Sequence, residues 1–249
     1  MTTVQEFYNR YNYLNPRNYA LAKEVGKKIT VSGCAPSIFV QHPFRVERPV
    51  DGSIMIAGCG TVEACLVANV NPAAHVVAID FSKASIAISK SIARHHKIKN
   101  IRHMVGDICD IEIPQKFDYV VSSGVLHHIP DVSKALCNIK NHMNDNGILS
   151  GMVYYKTERK AIDKNIVDYF RKNNYHPTDV MQTLKSVEHP WYSIHVKDMQ
   201  EIADTWLHPY YVEYEPQDLY TLLKHNGFTN IEVFTTVDSI GKLFFKASV

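Results

Sequence analysis

Apolar runs rich in β-branched residues alternate with helix-like patterns from residue 53 to about residue 155. Short uninterrupted runs of this kind are typical of buried strands, and the stretches between them place apolar residues on one face of a helix. Repeated strand–helix units favour a parallel sheet with helices on both faces, which is a doubly wound α/β fold. The predicted strands are residues 54–57, 75–79, 101–104, 117–121 and a run from 147–149 toward 155.

The clearest helical pattern lies between the fourth and fifth predicted strands. Apolar residues recur there at helical spacing after Pro130 and Asp131, and Asn146 with Gly147 forms the predicted stop. We therefore expect one helix in this interval. Its predicted buried face is Val132, Ala135, Leu136, Ile139 and Met143.

The remaining segments differ in character from this region. Residues 1–50 are rich in Tyr, Asn and Pro, and we expect an N-terminal arm of short helices and irregular chain. Residues 51–249 are expected to form one domain, with a cap insertion at about 156–214 that is richer in charge, His and Pro. Pro216 then opens a predicted helix that ends before Gly227, and two closing strands could form an antiparallel hairpin on the sheet.

Composition limits the class of protein. The 249 residues are 45% hydrophobic and 21% charged, which is typical of globular proteins. A formal net charge of +2 without a basic patch argues against nucleic acid or a membrane surface as a partner. Five cysteines include no Cys-x-x-Cys pair, and no apolar run approaches the ~18 residues of a membrane span. We expect a reduced, cytoplasmic protein without structural zinc.

The first predicted strand runs directly into a Gly-x-Gly turn, formed by Gly58, Cys59 and Gly60, and then into a helix. Backbone without side chains can approach a ligand closely at such a turn. This motif alone is weak, because a tight strand–helix turn can form without any ligand.

An acidic residue follows at the end of the second strand. Asp80 lies 20 residues after Gly60, where a carboxylate can accept hydrogen bonds from both ribose hydroxyls. Asp80 could instead cap the next helix, but Ser82 is the better cap, which favours a ligand role for Asp80.

The loops after the third and fourth strands hold further candidates. Asp107 could accept from an adenine amine, with Phe81 and Ile108 as apolar walls, or it could be a turn Asp that bonds its own backbone. The fourth strand leads into Ser123 and Gly124, whose small side chains leave room for the reactive end of a ligand.

Two adjacent histidines, His127 and His128, follow this turn. A histidine can accept a proton from a nucleophile at neutral pH, and we take His127 as the candidate catalytic base. Alternatively, His127 packs against the cofactor and His128 faces solvent.

These four motifs, in this order and spacing, resemble the class I, seven-stranded methyltransferases that depend on S-adenosylmethionine. The resemblance is firm over residues 51–155. It implies a mostly parallel seven-stranded sheet with an antiparallel terminal strand, and S-adenosylmethionine as the cofactor, converted to S-adenosylhomocysteine. The cofactor-binding residues that it implies are Gly58, Cys59, Gly60, Asp80, Phe81, Asp107, Ile108, Ser123 and Gly124.

Two positions depart from this family's usual pattern. Ala57 replaces an acidic residue before the first glycine, which removes a water-mediated partner of the methionine ammonium group. Val62 replaces a third glycine, so that a β-branched side chain lies near the methionine end of the site.

The acceptor substrate is expected to be a small molecule enclosed by the arm and the cap insertion. Candidate substrate residues are Tyr8, Tyr11, His128 and Tyr154, although each tyrosine could equally join the cap to the sheet through packing. Arg45 could bind an anionic substrate or pair with a surface carboxylate. The aromatic insertion suits a lid or a homodimer contact. Scattered His and Asp residues show no helical ligand pair with a third partner, so no metal is expected. These residues are His189, His195, Asp198 and His208.

Three functions remain open from the sequence. A methyltransferase acting on a small molecule at O, N, C or S is favoured. A nicotinamide-dependent oxidoreductase shares the Gly-x-Gly and Asp pattern but fits Val62 and the His-His loop poorly. A non-catalytic cofactor-binding or partner protein on the same fold is the third.

Overall fold

A computed structural model of the chain describes residues 3–11, 51–156, 158–188, 199–235 and 241–249. The predictions that concern residues 12–50, and those for His189, His195 and Asp198, lie outside these ranges. Within them, a seven-stranded sheet has the order β3-β2-β1-β4-β5-β7-β6. The strands are β1 (Ser53–Ala57), β2 (His75–Asp80), β3 (Ile101–Val105), β4 (Phe117–Ser123), β5 (Met143–Tyr154), β6 (Thr229–Phe234) and β7 (Lys242–Ser248).

Strands β1 to β5 pair in parallel, whereas β7 runs antiparallel to both of its neighbours, β5 and β6. The α/β sheet with an antiparallel terminal strand is therefore confirmed. After β3 the chain returns to the other side of β1, so the strand order reverses between β1 and β4. Ligands of open α/β sheets bind at such a reversal, beyond the carboxyl ends of the strands.

Helices cover the sheet on both faces. They are α1 (Val4–Arg10), α2 (Glu63–Val70), α3 (Lys83–His95), α4 (Val132–Asn141), α5 (Glu158–Lys172), α6 (Pro177–Ser186), α7 (Met199–Trp206) and α8 (Pro216–His225). Alternate residues of β1 enter two different cores, because successive strand residues face opposite sides of a sheet. Ile54 and Ile56 pack under α2, and Met55 and Ala57 pack under α4 and α8.

The helix predicted between the fourth and fifth strands ends earlier than expected. Helix α4 stops at Asn141, and Met143 is the first residue of β5, paired with Phe117. The helix ends there because His142 caps it: the His142 ring donates to the Asn138 carbonyl (2.7 Å) and accepts from another backbone amide. The expected stop at Asn146 is instead an irregularity of β5, with a φ of +65°.

Helices α5, α6 and α7 share a small apolar core of their own beside the sheet. The sequence predicted an insertion here but little regular periodicity. The chain returns from it through a bridge between Tyr214 and Tyr155, at the end of β5. The buried side chains of this core are Val167, Phe170, Val180, Leu184, Ile202 and Trp206. The division into an arm at 1–50 and a cap at 156–214 stays a prediction.

Candidate functional site

The turn after β1 is tied to the neighbouring strand β2. The backbone amides of Gly58 and Cys59 both donate to the Ile79 carbonyl, at 2.9 and 2.8 Å. Gly58 and Gly60 have positive φ values of 82° and 53°, which favour glycine. These two hydrogen bonds therefore fix the glycine turn at the carboxyl edge of the sheet, beside the end of β2.

Asp80 joins this turn to the start of α3. Its carboxylate accepts from the Gly60 amide (2.9 Å) and from the Ser82 amide (2.8 Å). Ser82 caps α3 by accepting from the Ser85 amide, as predicted. Burial raises the pKa of Asp80, and the two amide bonds oppose that rise. Both carboxylate oxygens of Asp80 therefore already accept hydrogen bonds from backbone amides, and the ribose role of Asp80 stays a prediction.

The predicted adenine residues are only partly brought together. Ile108 is buried and Phe81 is half-buried, but Asp107 is exposed. The Asp107 carboxylate accepts from the Cys109 amide at 2.9 Å, which is the turn role considered as its alternative. Binding of an adenine amine by Asp107 stays a prediction.

The turn after β4 offers both space and an unused hydroxyl. The buried Ser123 Oγ has no hydrogen-bond partner among the residues that the structure describes. At Gly124, an added Cβ would meet only the terminal methyl of Met152, at 3.8 Å. Buried hydroxyls without a partner are uncommon, so this turn fits a polar ligand group.

Glu63 was not anticipated from the sequence. It lies in the first turn of α2, and its side chain is buried. Burial raises the pKa of the Glu63 carboxyl well above its usual range, and its Oε1 has no hydrogen-bond partner in the described part of the chain. A buried carboxyl in this state gains most from a cationic ligand group.

The two adjacent histidines occupy a short 3-10 turn (Leu126–His128) and point to different neighbours. The His127 ring stacks on Tyr154 with a centroid distance of 3.9 Å. The His128 ring stacks on His208 at 3.7 Å and lies 6.2 Å from the Tyr8 ring. His128 thus faces α1 and the segment that follows α7. A base role for His127 stays a prediction.

Asp204, on α7, connects three separate parts of the chain. Tyr8 on α1 donates its hydroxyl to the Asp204 carboxylate at 2.7 Å, and the Tyr154 hydroxyl lies 3.4 Å from the other oxygen. Two of the predicted substrate residues therefore meet at a buried carboxylate. Tyr11 packs on Phe7 instead, at 5.2 Å, and its substrate role stays a prediction.

The structure also gathers three side chains that could hold a metal ion. One ligand atom from each of His128, Asp204 and His208 lies within 4.8 Å of the other two, and all three residues are buried. The sequence did not predict this set, because His208 lies two residues beyond the end of α7 and His128 comes from a turn distant in the chain.

Among the described residues, no helix combines the length and the apolar character needed to cross a membrane.

Comparison with known proteins agrees with this geometry. A family model described as a methyltransferase domain matches residues 51–227. An uncharacterized protein from a Synechococcus strain is 25% identical over 196 residues, or 71% of this chain and 47% of that protein. A malonyl-(acyl-carrier protein) O-methyltransferase from Bacillus anthracis is 29% identical over 97 residues, or 39% of this chain and 35% of that protein. The chain spans about half the length, or less, of these curated relatives.

A solved structure with a similar fold is phosphoethanolamine N-methyltransferase 2 from Haemonchus contortus, in complex with S-adenosylmethionine. Its TM-score is 0.58 at 13% identity, and the match covers 100% of this chain and 60% of that one. At this identity the similarity shows the fold alone.

Proposed function

The chain belongs to the methyltransferase-domain family, and on this premise we propose that it transfers a methyl group from S-adenosylmethionine to a small-molecule acceptor by in-line displacement. The observation that carries the proposal is the set of polar groups at the strand-order reversal. Asp80 bonds the Gly60 amide there, and the Ser123 hydroxyl is buried without a described partner. A sulfonium methyl group is already activated, so the protein needs mainly to position the acceptor and exclude water.

Each of the predicted cofactor residues would bind a different part of S-adenosylmethionine. Asp80 would bind the ribose, Phe81 and Ile108 would enclose the adenine, and the turn at Ser123 would lie beside the methionine portion. The half-buried Phe81 and buried Ile108 suit a flat apolar ring. Helix α1 lies over this region, because Gln5 donates to the Phe81 carbonyl (3.0 Å) and Ser82 Oγ lies 3.0 Å from the Asn9 side chain.

Binding of S-adenosylhomocysteine tests the cofactor assignment. We expect binding by isothermal titration calorimetry with a dissociation constant on the order of micromolar, equivalent to about 8 kcal/mol. Binding of NAD(H) in the same assay, with no binding of S-adenosylhomocysteine, would overturn the proposal in favour of an oxidoreductase. Transfer of labelled methyl groups to small molecules in cell extracts then separates a catalyst from a protein that only binds the cofactor.

Glu63 would replace the acidic residue that is missing at Ala57. Its buried carboxyl with an unpartnered Oε1 suits the ammonium group of the cofactor's methionine portion. Charge pairing would return the raised pKa of Glu63 toward its usual range, because an adjacent cation favours the carboxylate.

The Glu63→Gln variant is therefore expected to bind S-adenosylhomocysteine about fivefold to tenfold more weakly, or ~1 kcal/mol, by calorimetry. Methylthioadenosine is the matched control ligand, because it keeps the nucleoside and lacks the ammonium group. Its affinity should not change. An equal loss for both ligands would show that Glu63 acts through the fold of the loop rather than through the ammonium group.

A further inference from the structure

Arg171, in the last turn of α5, carries a guanidinium group with two unused donors. Its Nε and Nη2 atoms are buried and have no hydrogen-bond partner among the described residues. The third nitrogen, Nη1, lies 3.7 Å from a carboxylate oxygen of Asp168, which is exposed. An ion pair of this length at the surface contributes little. The buried side of the guanidinium group is therefore left without a partner.

The two unused nitrogens form one complete edge of the guanidinium group. Nε and Nη2 direct their N–H bonds the same way along one side of this planar group, whereas Nη1 lies on the other side. Such an edge matches a carboxylate, whose two oxygens can accept two parallel hydrogen bonds at once. The unpaired atoms of Arg171 thus have the arrangement that binds a carboxylate through two hydrogen bonds.

The position of Arg171 at the end of a helix does not explain its burial. A basic residue in the last turn ordinarily complements the helix dipole, and it can do so while its charge stays in water, as for the neighbouring, exposed Lys172. Burial instead lowers the pKa of Arg171. Burying a charged group without a hydrogen-bonding partner is costly, so this guanidinium group gains most from an anionic ligand.

Ring contacts connect Arg171 to the predicted substrate residues. Its guanidinium group lies over the Tyr211 ring, 5.2 Å from the ring centroid. The Tyr211 ring contacts the Tyr154 ring at 5.9 Å, and Tyr154 stacks on His127, which follows the turn after β4. A ligand group bound by Arg171 would therefore lie on the same side of the sheet edge as Tyr154.

The surroundings of Arg171 are fixed from two directions. The preceding residue, Phe170, is buried against Trp206 of α7, with ring centroids 6.1 Å apart. On the other side, the Val212 amide next to Tyr211 donates to the His127 carbonyl at 2.8 Å. A donor group that is already held in place loses less entropy when a ligand binds.

We propose that Arg171 binds a carboxylate group of the acceptor substrate through parallel hydrogen bonds from Nε and Nη2. This inference rests on the proposed methyl transfer and specifies its substrate class, an organic acid. Because both nitrogens are shielded from solvent, the acid must displace the side chains that cover them. The resulting ion pair is then formed away from water, where a charge-assisted hydrogen bond is strongest.

The charge near Arg171 favours a carboxylate over a phosphate. One guanidinium group neutralises one negative charge, whereas a phosphate monoester carries about −1.5 to −2 at pH 7. The nearby His208 supplies no second cation, because burial, His128 and Arg171 together lower the pKa of His208 well below its usual value. The excess charge of a phosphate would remain buried without compensation, which is costly.

The Nε–H signal of Arg171 reports binding of an acid without cofactor or turnover. In ¹H–¹⁵N spectra of the full chain at pH 7, the Arg171→Lys variant assigns this signal by its loss. We expect acetate and benzoate to move the signal downfield to saturation, and their neutral counterparts acetamide and benzamide to leave it in place. No movement with either acid, or equal movement with acids and amides, would overturn the proposal. Tighter binding of inorganic phosphate than of either acid would also overturn it.

Three variants separate the paired donors from charge alone. By ligand-observed NMR, Arg171→Lys, which keeps the charge, should bind benzoate at least ~10-fold more weakly, and Arg171→Met should not bind it measurably. The exposed Arg102, on the edge strand β3, provides the control Arg102→Met, which should bind benzoate as the unaltered chain does. Unaltered benzoate affinity in Arg171→Met would remove Arg171 from the site.

Stability separates a ligand site from a structural role. A residue that serves packing loses stability when it is replaced, whereas a buried charge without a partner destabilises the chain that carries it. Methionine keeps an apolar stem and a favourable contact with the Tyr211 ring. Without ligand, Arg171→Met should therefore melt at the same temperature as the unaltered chain or higher. A lower melting temperature would show that Arg171 supports the fold, and would contradict the proposal.

Methyl transfer in fractionated cell extracts connects the site to the reaction. The acceptor should be retained by an anion exchanger and survive phosphatase treatment, and Arg171→Met should raise its KM at least ~10-fold with little change in kcat. Acceptors found only in the unretained fraction, or lost on phosphatase treatment, would overturn the inference. If no fraction is methylated, the proposed function fails instead. The response of the Arg171 signal to acetate is measured separately, so the two failures are distinguishable.

Discussion

The Asp80→Ala variant is expected to bind S-adenosylhomocysteine about 10- to 150-fold more weakly, a loss of about 1.5–3 kcal/mol measured by calorimetry. Asp80 is the proposed partner of the ribose hydroxyls, and hydrogen bonds to a charged group are worth this much. The loss also includes the loop, because the Asp80 carboxylate holds the Gly60 and Ser82 amides at 2.9 and 2.8 Å. Asp80→Asn keeps one acceptor oxygen and should show an intermediate loss.

A matched control lies at the opposite end of the sheet. Asp118 likewise bonds neighbouring groups, since it accepts from the amide and hydroxyl of Ser53 and from the Asn144 side chain, at 2.8, 2.8 and 2.7 Å. It stands at the amino end of β4, away from the proposed site. Asp118→Ala should lower the melting temperature without changing cofactor affinity. A folded Asp80→Ala chain with unaltered affinity would remove Asp80 from the site.

The Gly58→Ala variant is expected to lose about 2–5 kcal/mol of unfolding free energy, measured by urea denaturation, and to bind the cofactor product more weakly. Two costs add. The φ of +82° costs an L-residue about 1–2 kcal/mol, and overpacking costs about 1–3 kcal/mol. The overpacking is specific, because an added Cβ would lie 2.4 Å from a methyl carbon of Val125.

Two further variants separate these costs. Gly124 also has a positive φ, of 73°, but an added Cβ there meets only one atom, at 3.8 Å. Gly124→Ala should therefore lose only the conformational part, about 1–2 kcal/mol. Adding Val125→Ala to Gly58→Ala should recover part of the larger loss. Equal losses for the two single glycine variants would show that contact with Val125 does not limit the turn.

Much of the fold could be predicted from local patterns. The five predicted strands of the motif region occur in the structure, and the helix that begins at Pro216 ends just before Gly227, as its flanking residues indicate. The predicted end of α4 was wrong by several residues. Met143 continues the apolar spacing of the helix, but its backbone belongs to β5, where it pairs with Phe117. Spacing alone cannot distinguish a buried helix residue from a buried strand residue.

The candidate cofactor-binding residues could also be identified from the sequence. They follow the ends of successive parallel strands, and topology brings such ends to one edge. What the sequence could not show was which bonds they already make. The Asp80 carboxylate accepts a hydrogen bond from the Gly60 amide, and the Asp107 carboxylate accepts one from the Cys109 amide in its own turn.

The residue pattern alone predicted the parallel sheet, its glycine turn and the acidic residues at its carboxyl edge, because strands that alternate with helices pair in parallel and their carboxyl ends then meet at one edge. Only the tertiary structure decided which side chains meet beside the predicted substrate residues. Tyr8 meets Asp204 across 196 positions, and of two adjacent histidines His128 turns toward His208. Such contacts depend on how α1 and α7 dock on the finished sheet, and the free energy of that docking comes from packing over the whole surface rather than from any local signal.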